Sequence, residues 1–415
     1  MSERYVPRLL DSLLDSLVSQ LPALMVNGAR AAGKTTTLAR RAATVVRLDV
    51  AAQAAAFRAD ADAALRGLDE PVVLDEWQAV PEVLGAVRRA VEADPSPNRF
   101  LLSGSLRADL DHDVWPATGR IVRVSMYPMT VRELTGATAG LPFFDKLAEG
   151  VELTVPRTTP DLRGYVELAL RGGFPTPALH LTGVAHRAWM DSYLENLLTR
   201  DIQAAAGSTT RPRDPTRLRR YFEAYALNSA GQAEHKTIYE HAGVNRMTAL
   251  DYDDLLARIF VVEEIAAWES NRLKRLTKTP KRYVVEPALV AAALRLDIRG
   301  VMSDGDLLGR LLDTFVAAQL RPEAAISASR PRLHHVRTQS AREEVDLVAE
   351  LGGARVIGIE VKAAAAPDSR DARHLRWLRD KLGDRFVTGV ILHTGPRAWR
   401  IDDRIVAAPI SSIWA

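Results

Sequence analysis

Two glycines, a lysine and a run of threonines follow a short apolar stretch in LMVNGARAAGKTTT, Leu24 to Thr37. Within it Gly28, Ala29, Arg30, Ala31, Ala32, Gly33, Lys34 and Thr35 fit G-x-x-x-x-G-K-[ST] without a gap. That spacing suits phosphate chemistry. Glycines let the main chain wrap until successive N–H groups point inward at phosphate oxygens. A helix starting there adds partial positive charge. Lys34 would reach the β- and γ-phosphates, and Thr35 would hold Mg²⁺ through its hydroxyl. Thr36 completes the cradle.

A second set of groups belongs to the same chemistry. Pro71 to Glu76, PVVLDE, is an apolar strand ending in two acids. Asp75 at the strand's C-terminal end is placed to bind the Mg²⁺, and Glu76 to polarise the attacking water. A carboxylate there favours hydrolysis over binding alone. Ser103 or Ser105, closing the strand-like run RFLLSGS, could sense the γ-phosphate or the lytic water. Arg120 could stabilise transferred charge, although a structural salt bridge suits it slightly better.

A separate constellation lies near the C-terminus. Asp346 sits where two strand-like runs meet, and Glu360 and Lys362 stand two apart in RVIGIEVK. Period two puts Glu360 and Lys362 on one face of a strand, and Asp346 on a neighbouring strand can face them. Two carboxylates could hold Mg²⁺ while Lys362 orients water or stabilises a leaving phosphate. Asp313, from the preceding helix, is a plausible fourth member. Charged groups in an otherwise buried sheet are costly unless paired or functional.

These residues need elements to position them. Ala23 to Val26 reads as a buried strand and Thr36 to Ala43 as a helix. Thr44 to Asp49, Pro71 to Glu76, Arg99 to Ser105 and Ile121 to Val124 read as further strands. Strands alternating with helices imply a parallel sheet with nucleotide at its C-terminal edge. Asp161 to Gln203 carries helical periodicity, ending in Arg200-Asp201, a pair read as a helix cap. Ala205 to Pro215 reads as a linker. Lys236 to Leu256 reads as helix, tight turn at Gly243, helix. Two strand-like runs follow, the second over Lys281 to Val285, which is the outline of a winged helix-turn-helix. Its second helix offers Asn245, Arg246 and Thr248, but also Asp251, Asp253 and Asp254, which repel phosphates. Leu347 to Leu351 and Arg355 to Lys362 form a hairpin around Gly352-Gly353. A helix over Asp371 to Leu382 and a strand over Val387 to Leu392 complete an α/β unit.

The chain resembles a bacterial and archaeal family of AAA-type ATPases with a C-terminal region of unknown function. The resemblance rests on Glu3-Arg4-Tyr5, GARAAGKTT, VVLDEWQ with Gln78, FLLSGS, and TGRIVRVSMYPMT followed by Glu133. It continues in GGFPTP at Gly172 to Pro177, YLENLLTRDI from Tyr193, GRLLDTFV from Gly309, EEVDLV and IEVK. Trp77 replaces an isoleucine-like position, and Asp313 stands where the family has Glu. The resemblance implies that the middle segment is a lid-like helical region near the ATP site, with Arg200 approaching nucleotide. It also adds to the case for a restriction-endonuclease-like C-terminal fold.

The fold class expected is α/β: a P-loop parallel-sheet ATPase domain, a helical lid and winged-helix middle, and an α/β endonuclease-like C-terminal domain. The boundaries expected are 1–150, 151–205, 206–295 and 296–415. The formal net charge of +3 gives no strong field, despite a basic cluster at Arg272, Lys274, Arg275, Lys278, Lys281 and Arg282. That cluster reads either as a solvated turn or as a contact to a phosphate backbone. With no cysteine, disulfides and thiolate metal sites are excluded. No apolar run is long enough to span a membrane and the N-terminus lacks signal-peptide features, so a cytoplasmic location is expected. The primary reading is a Mg²⁺-dependent ATPase that drives motion of its C-terminal domains. The alternatives are an ATP-gated, metal-dependent nuclease and a non-catalytic, nucleotide-dependent regulator. The partners expected are ATP, with DNA, a protein partner or a second copy for the alternatives.

Overall fold

A computed structural model describes residues 5–107, 119–202, 214–269, 279–338 and 342–415. Glu3, Arg4, Thr118, most of the expected linker and Arg272 to Lys278 lie outside them.

The N-terminal sheet is built from β1 (Ala23–Asn27), β2 (Thr44–Arg47), β3 (Val72–Asp75), β4 (Phe100–Gly104) and β5 (Val122–Ser125). Every pairing is parallel, in the order β2-β3-β4-β1-β5. The central strands β1, β3 and β4 are buried along their whole length, whereas β2 and β5 are edges. Side-chain alternation divides the apolar residues between two faces. Met25, Leu74 and Leu102 pack against the helices between Ala51 and Ala93. Leu24, Val26, Val73 and Leu101 pack against Asp11–Val18 and Lys34–Ala39. Burial on both faces explains why these strands read as unbroken apolar runs.

The helix expected over Thr36 to Ala43 spans Lys34–Ala39. Gly33, at φ 96°, supplies the left-handed turn that lets it start two residues earlier. It stops early because the amides of Ala43 and Thr44 already bond to Pro71 O, leading the chain into β2.

The middle of the chain is mostly helical: Leu162–Arg171, Pro175–His180, Gly183–Asn196, Pro215–Leu227, His235–His241 and Arg246–Arg258. Pro215 is not linker but the first turn of its helix, capped by the Asp214 side chain. An antiparallel pair, β6 (Val262–Ile265) and β7 (Lys281–Val284), follows. Asp253 is not a groove-facing acid. Its carboxylate accepts from Tyr221 Oη at 2.5 Å and lies 2.9 Å from His235 Nε2. Lys281 and Arg282 do not sit on a solvated turn either: they are 1% and 6% exposed and point inward.

The long helix Gly305–Ile326 leads to a second sheet of β8 (Arg332–Arg337), β9 (Glu344–Glu350), β10 (Val356–Val361), β11 (Phe386–His393), β12 (Trp399–Asp402) and β13 (Ile405–Pro409). Its order is β12-β13-β11-β10-β9-β8, mixed in direction. The strand break expected at Asp346 is absent: β9 runs through it from Glu344 to Glu350, paired with β8 on both sides of a register shift. One hydrophobic cluster extends from Val131 through the helical middle to Trp414. No helix among the described residues is long and apolar enough to cross a membrane.

The long helix bolts this body to the first sheet. Gln319 Oε1 accepts from Val131 N at 2.8 Å, and Glu323 pairs with Arg132 at 2.9 Å and accepts from Phe143 N. Arg132 and Glu323 side chains are 3% and 1% exposed. Removing one member of such a pair strands the other charge. Glu323→Ala should therefore cost about 3–5 kcal/mol in chemical denaturation of the full chain. Glu167→Ala, in the exposed Arg163–Glu167 pair, should cost about 0–1 kcal/mol.

Candidate nucleotide site

The Gly28–Thr35 loop leaves β1 between β4 and β5. Gly28 is required there by space: a Cβ would stand 2.0 Å from Met126 O. Lys34 is 5% exposed, and its Nζ donates to Gly28 O at 3.0 Å and Ala29 O at 2.9 Å. Burial lowers its pKa to about 8, against the opposing pull of Glu76 and Asp75.

The loop meets the acid strand directly. Thr35 Oγ1 donates to both oxygens of Asp75, at 2.8 and 2.9 Å. Ser103 Oγ donates to Asp75 Oδ1 from the neighbouring strand, where the register sets Asp75 beside Ser103. Asp75 is 2% exposed and Ser103 fully buried. A hydroxyl and a carboxylate facing one another are hard oxygen donors that suit Mg²⁺. Glu76, at φ 54°, adopts a left-handed backbone unusual for a non-glycine residue. It accepts from Ser105 Oγ at 3.0 Å and from Gln78 Nε2. Ala29 and Ala32 are buried, whereas Ala31 and Thr36 are exposed.

Residues that the sequence did not connect with this loop hold it in place. Arg8, 6% exposed, donates to Ala32 O at 2.8 Å, Tyr127 O at 2.7 Å and Glu133 Oε1 at 2.9 Å. A peptide C=O and its N–H point opposite ways, so tethering Ala32 O turns the Gly33 amide the other way. Glu133 takes part in a capping box with Thr130, a signal the T-x-x-E spacing carries. No comparable pattern marks Arg8. From the middle region, Tyr193 Oη donates to Arg30 O at 3.0 Å and Asp201 pairs with Arg30 Nη1 at 2.5 Å. Asp201 thus serves the loop rather than a helix cap. Tyr193 stacks on Trp189 and packs against Phe174 of GGFPTP. Arg120 lies 3.7 Å from Glu92, remote from this cluster.

The C-terminal carboxylates form a second cluster. Asp346 Oδ2 accepts from Val361 N at 3.0 Å, and Lys362 Nζ donates to Glu360 Oε2 at 3.1 Å. Asp313 joins them and accepts from Tyr283 Oη at 3.0 Å. Lys281 enters between the carboxylates, bonding Asp313 Oδ2 and lying 3.3 Å from Asp346 Oδ1. Burial pushes Asp313 up to about 6 and Glu360 well above the usual carboxylate range. At Asp346 burial is outweighed by Lys281, the Val361 N–H and Lys362, and its pKa falls. Glu360 Oε1 is buried without a partner. Among the described residues no group of three or more His, Cys, Asp or Glu is arranged to hold a metal ion.

Three family comparisons divide the chain. Residues 20–135 match an AAA domain, 162–299 a domain of unknown function (DUF8612), and 308–413 a second (DUF4143). Uncharacterized proteins of Mycobacterium bovis and Mycobacterium tuberculosis are each 29% identical over 397 residues, 94% of this chain and 81% of the relative. The chain thus carries a P-loop ATPase-like AAA domain followed by a DUF4143 domain, and the AAA domain points to nucleotide binding.

Lys34 must be an ammonium to pair with phosphate. Affinity for MgADP should be flat below pH 8 and weaken above the pKa of about 8. The decline should approach about tenfold per pH unit. Anisotropy of a labelled nucleotide from pH 7 to 9.5 measures it.

Proposed function

We propose that the protein is a Mg²⁺-dependent ATP hydrolase whose turnover moves its middle and C-terminal regions. The observation that carries this reading is the buried Thr35–Asp75–Ser103 contact, set beside Lys34 and followed by Glu76. Gly28 to Thr36 receive the triphosphate, and Lys34 exchanges its own loop's carbonyls for β- and γ-phosphate oxygens. Thr35 and Asp75 hold Mg²⁺, which offsets phosphate charge when bound. Glu76 orients a water whose oxygen bonds to the γ-phosphorus as the bond to the β–γ bridging oxygen breaks. ADP leaves with that electron pair, and the water's proton passes through Glu76 to the phosphate product. Ser103 fixes the Asp75 carboxylate.

The coupling reading is supported by the bonds from Val131 and Arg132 to the long helix. The order of units proposed is an ATPase domain over 1–150, a lid over 151–205, a winged helix over 206–295 and an endonuclease-like unit over 296–415. The winged-helix reading is supported by the three helices preceding β6 and β7. The outer face of Arg246–Arg258 carries Met247, 67% exposed, and Leu250, 41% exposed, beside Asp251. That mixture suits a protein surface better than a phosphate backbone.

A second reading, an ATP-gated nuclease, is favoured by one feature: the partnerless buried Glu360 Oε1 beside Asp346, Asp313 and Lys362. Asp346 and Glu360 would then hold the metal and Lys362 would orient water. Lys281 weighs against it, because its ammonium already compensates Asp313 and Asp346.

Two assays separate these readings. Lys34→Ala should abolish nucleotide binding, while Glu76→Gln should bind ATP normally and lose about 10²-fold or more in turnover. A wild type that neither binds nor hydrolyses MgATP removes the hydrolase. For the nuclease, Mn²⁺- or Mg²⁺-dependent DNA cleavage should vanish in Glu360→Ala and Lys362→Ala. Cleavage surviving both changes, or absent from the wild type, excludes it.

A further inference from the structure

We propose that Arg30 is the cation that compensates charge on the phosphoryl group during transfer, and that Asp201 of the middle region parks it until the two part. This rests on the hydrolase reading above. It assigns to Arg30 a catalytic task distinct from lining the loop, and to Asp201 control over that task.

Position is the first argument. Arg30 is the third residue of the loop, and its main chain is pinned by Tyr193 Oη on its carbonyl. Its side chain is not pinned in the same way. The guanidinium is 58% exposed and, among the described residues, pairs with Asp201 Oδ1 at 2.5 Å. A single-contact pair with a half-exposed guanidinium is readily exchanged. A triphosphate offers several anionic oxygens against one carboxylate, so nucleotide competes well for this cation.

Direction is the second argument. Arg30 is carried by the same loop as Lys34 and Thr35, whose hydroxyl meets Asp75, which keeps the guanidinium within a few residues of the site where hydrolysis would occur. Against the lowering effect of burial, Asp201 and then Glu76 raise its pKa, which keeps it cationic. In the transfer step, negative charge grows on the bridging oxygen as its bond to the γ-phosphorus breaks. A guanidinium contacting that oxygen and a γ-oxygen bonds more strongly in the transition state than in the ground state. No proton leaves Arg30, and its bonds stay intact.

Asp201 closes a π-helical turn, Leu197–Asp201, that continues the helix Gly183–Asn196. Such turns commonly sit at functional sites. Displacing this turn moves the carboxylate off Arg30, while the Arg30 carbonyl keeps its bond from Tyr193 Oη on the preceding helix. Release of Arg30 is then the point where a movement of the middle region governs ATP turnover.

The test compares full-length wild type, Arg30→Ala, Arg30→Lys, Asp201→Asn and the double variant. Each is assayed for ATP turnover, MgADP affinity and melting temperature. Arg30→Ala should lose about 10²–10³-fold in kcat with MgADP affinity within a few-fold of wild type. Arg30→Lys should recover part of that loss. Asp201→Asn should raise basal kcat several-fold, and the double variant should match Arg30→Ala. If the pair is only a clasp, both single variants move kcat in the same direction by similar factors, and the proposal is overturned. It is also overturned if Arg30→Ala weakens MgADP binding at unchanged kcat. A wild type that turns over while these patterns fail ends this proposal alone. A wild type without turnover ends the hydrolase reading and this proposal with it.

Discussion

A carboxylate buried at the edge of a parallel sheet organises the N-terminal half of this protein. Asp75 accepts from Thr35 on one side and Ser103 on the other, joining the glycine loop, the acid strand and β4. A carboxylate so placed is tolerated because its oxygens are satisfied. The satisfaction is local and stereospecific: it needs β3 between β2 and β4, and the loop's threonine opposite the strand end. The sheet order, the turn at Gly33 and the short helix beginning at Lys34 serve that arrangement.

Buried polar groups extend the arrangement beyond the sheet. Arg8 ties the loop's Ala32 carbonyl to Glu133. The short helix carrying Glu133 also presents Val131 and Arg132 to Gln319 and Glu323 of the long helix. The same long helix delivers Asp313 to the C-terminal cluster. Loop and cluster are therefore linked by rigid elements and ionic contacts that exclude water, where displacement of one member is costly. Tyr193 and Asp201 form a second, weaker bridge from the helical middle to Arg30. The two bridges differ in kind: one is buried and multiply bonded, the other half-exposed and exchangeable.

The C-terminal cluster shows how charge accounting changes a reading of residue types. Asp346, Glu360 and Lys362 are compatible with metal-assisted phosphodiester chemistry when considered as a trio. Lys281 brings a second ammonium, which bonds Asp313 and lies against Asp346. Two lysines then face three carboxylates, two of which, Asp313 and Glu360, burial pushes above the usual carboxylate range.

Local chemistry made much of this legible. The glycine and lysine spacing defined the loop, apolar runs ending in acids or serine located β3 and β4, and period two put Glu360 and Lys362 on one face. Those features depend on residues near one another in sequence, where pattern and geometry are tightly linked. Arg8, Asp201 and Lys281 carried no such signal, because a single charged residue has no period and its partners lie far along the chain. Lys281 looked like part of a solvated basic cluster, and Asp253 like an acid aimed at a groove, until folding placed carboxylates or a tyrosine and a histidine around them. The sequence by itself determined where the phosphate-loop pattern and its acid strand lie. Only the tertiary structure decided which distant charges restrain it, since burial and pairing arise when segments more than a hundred residues apart are brought into contact.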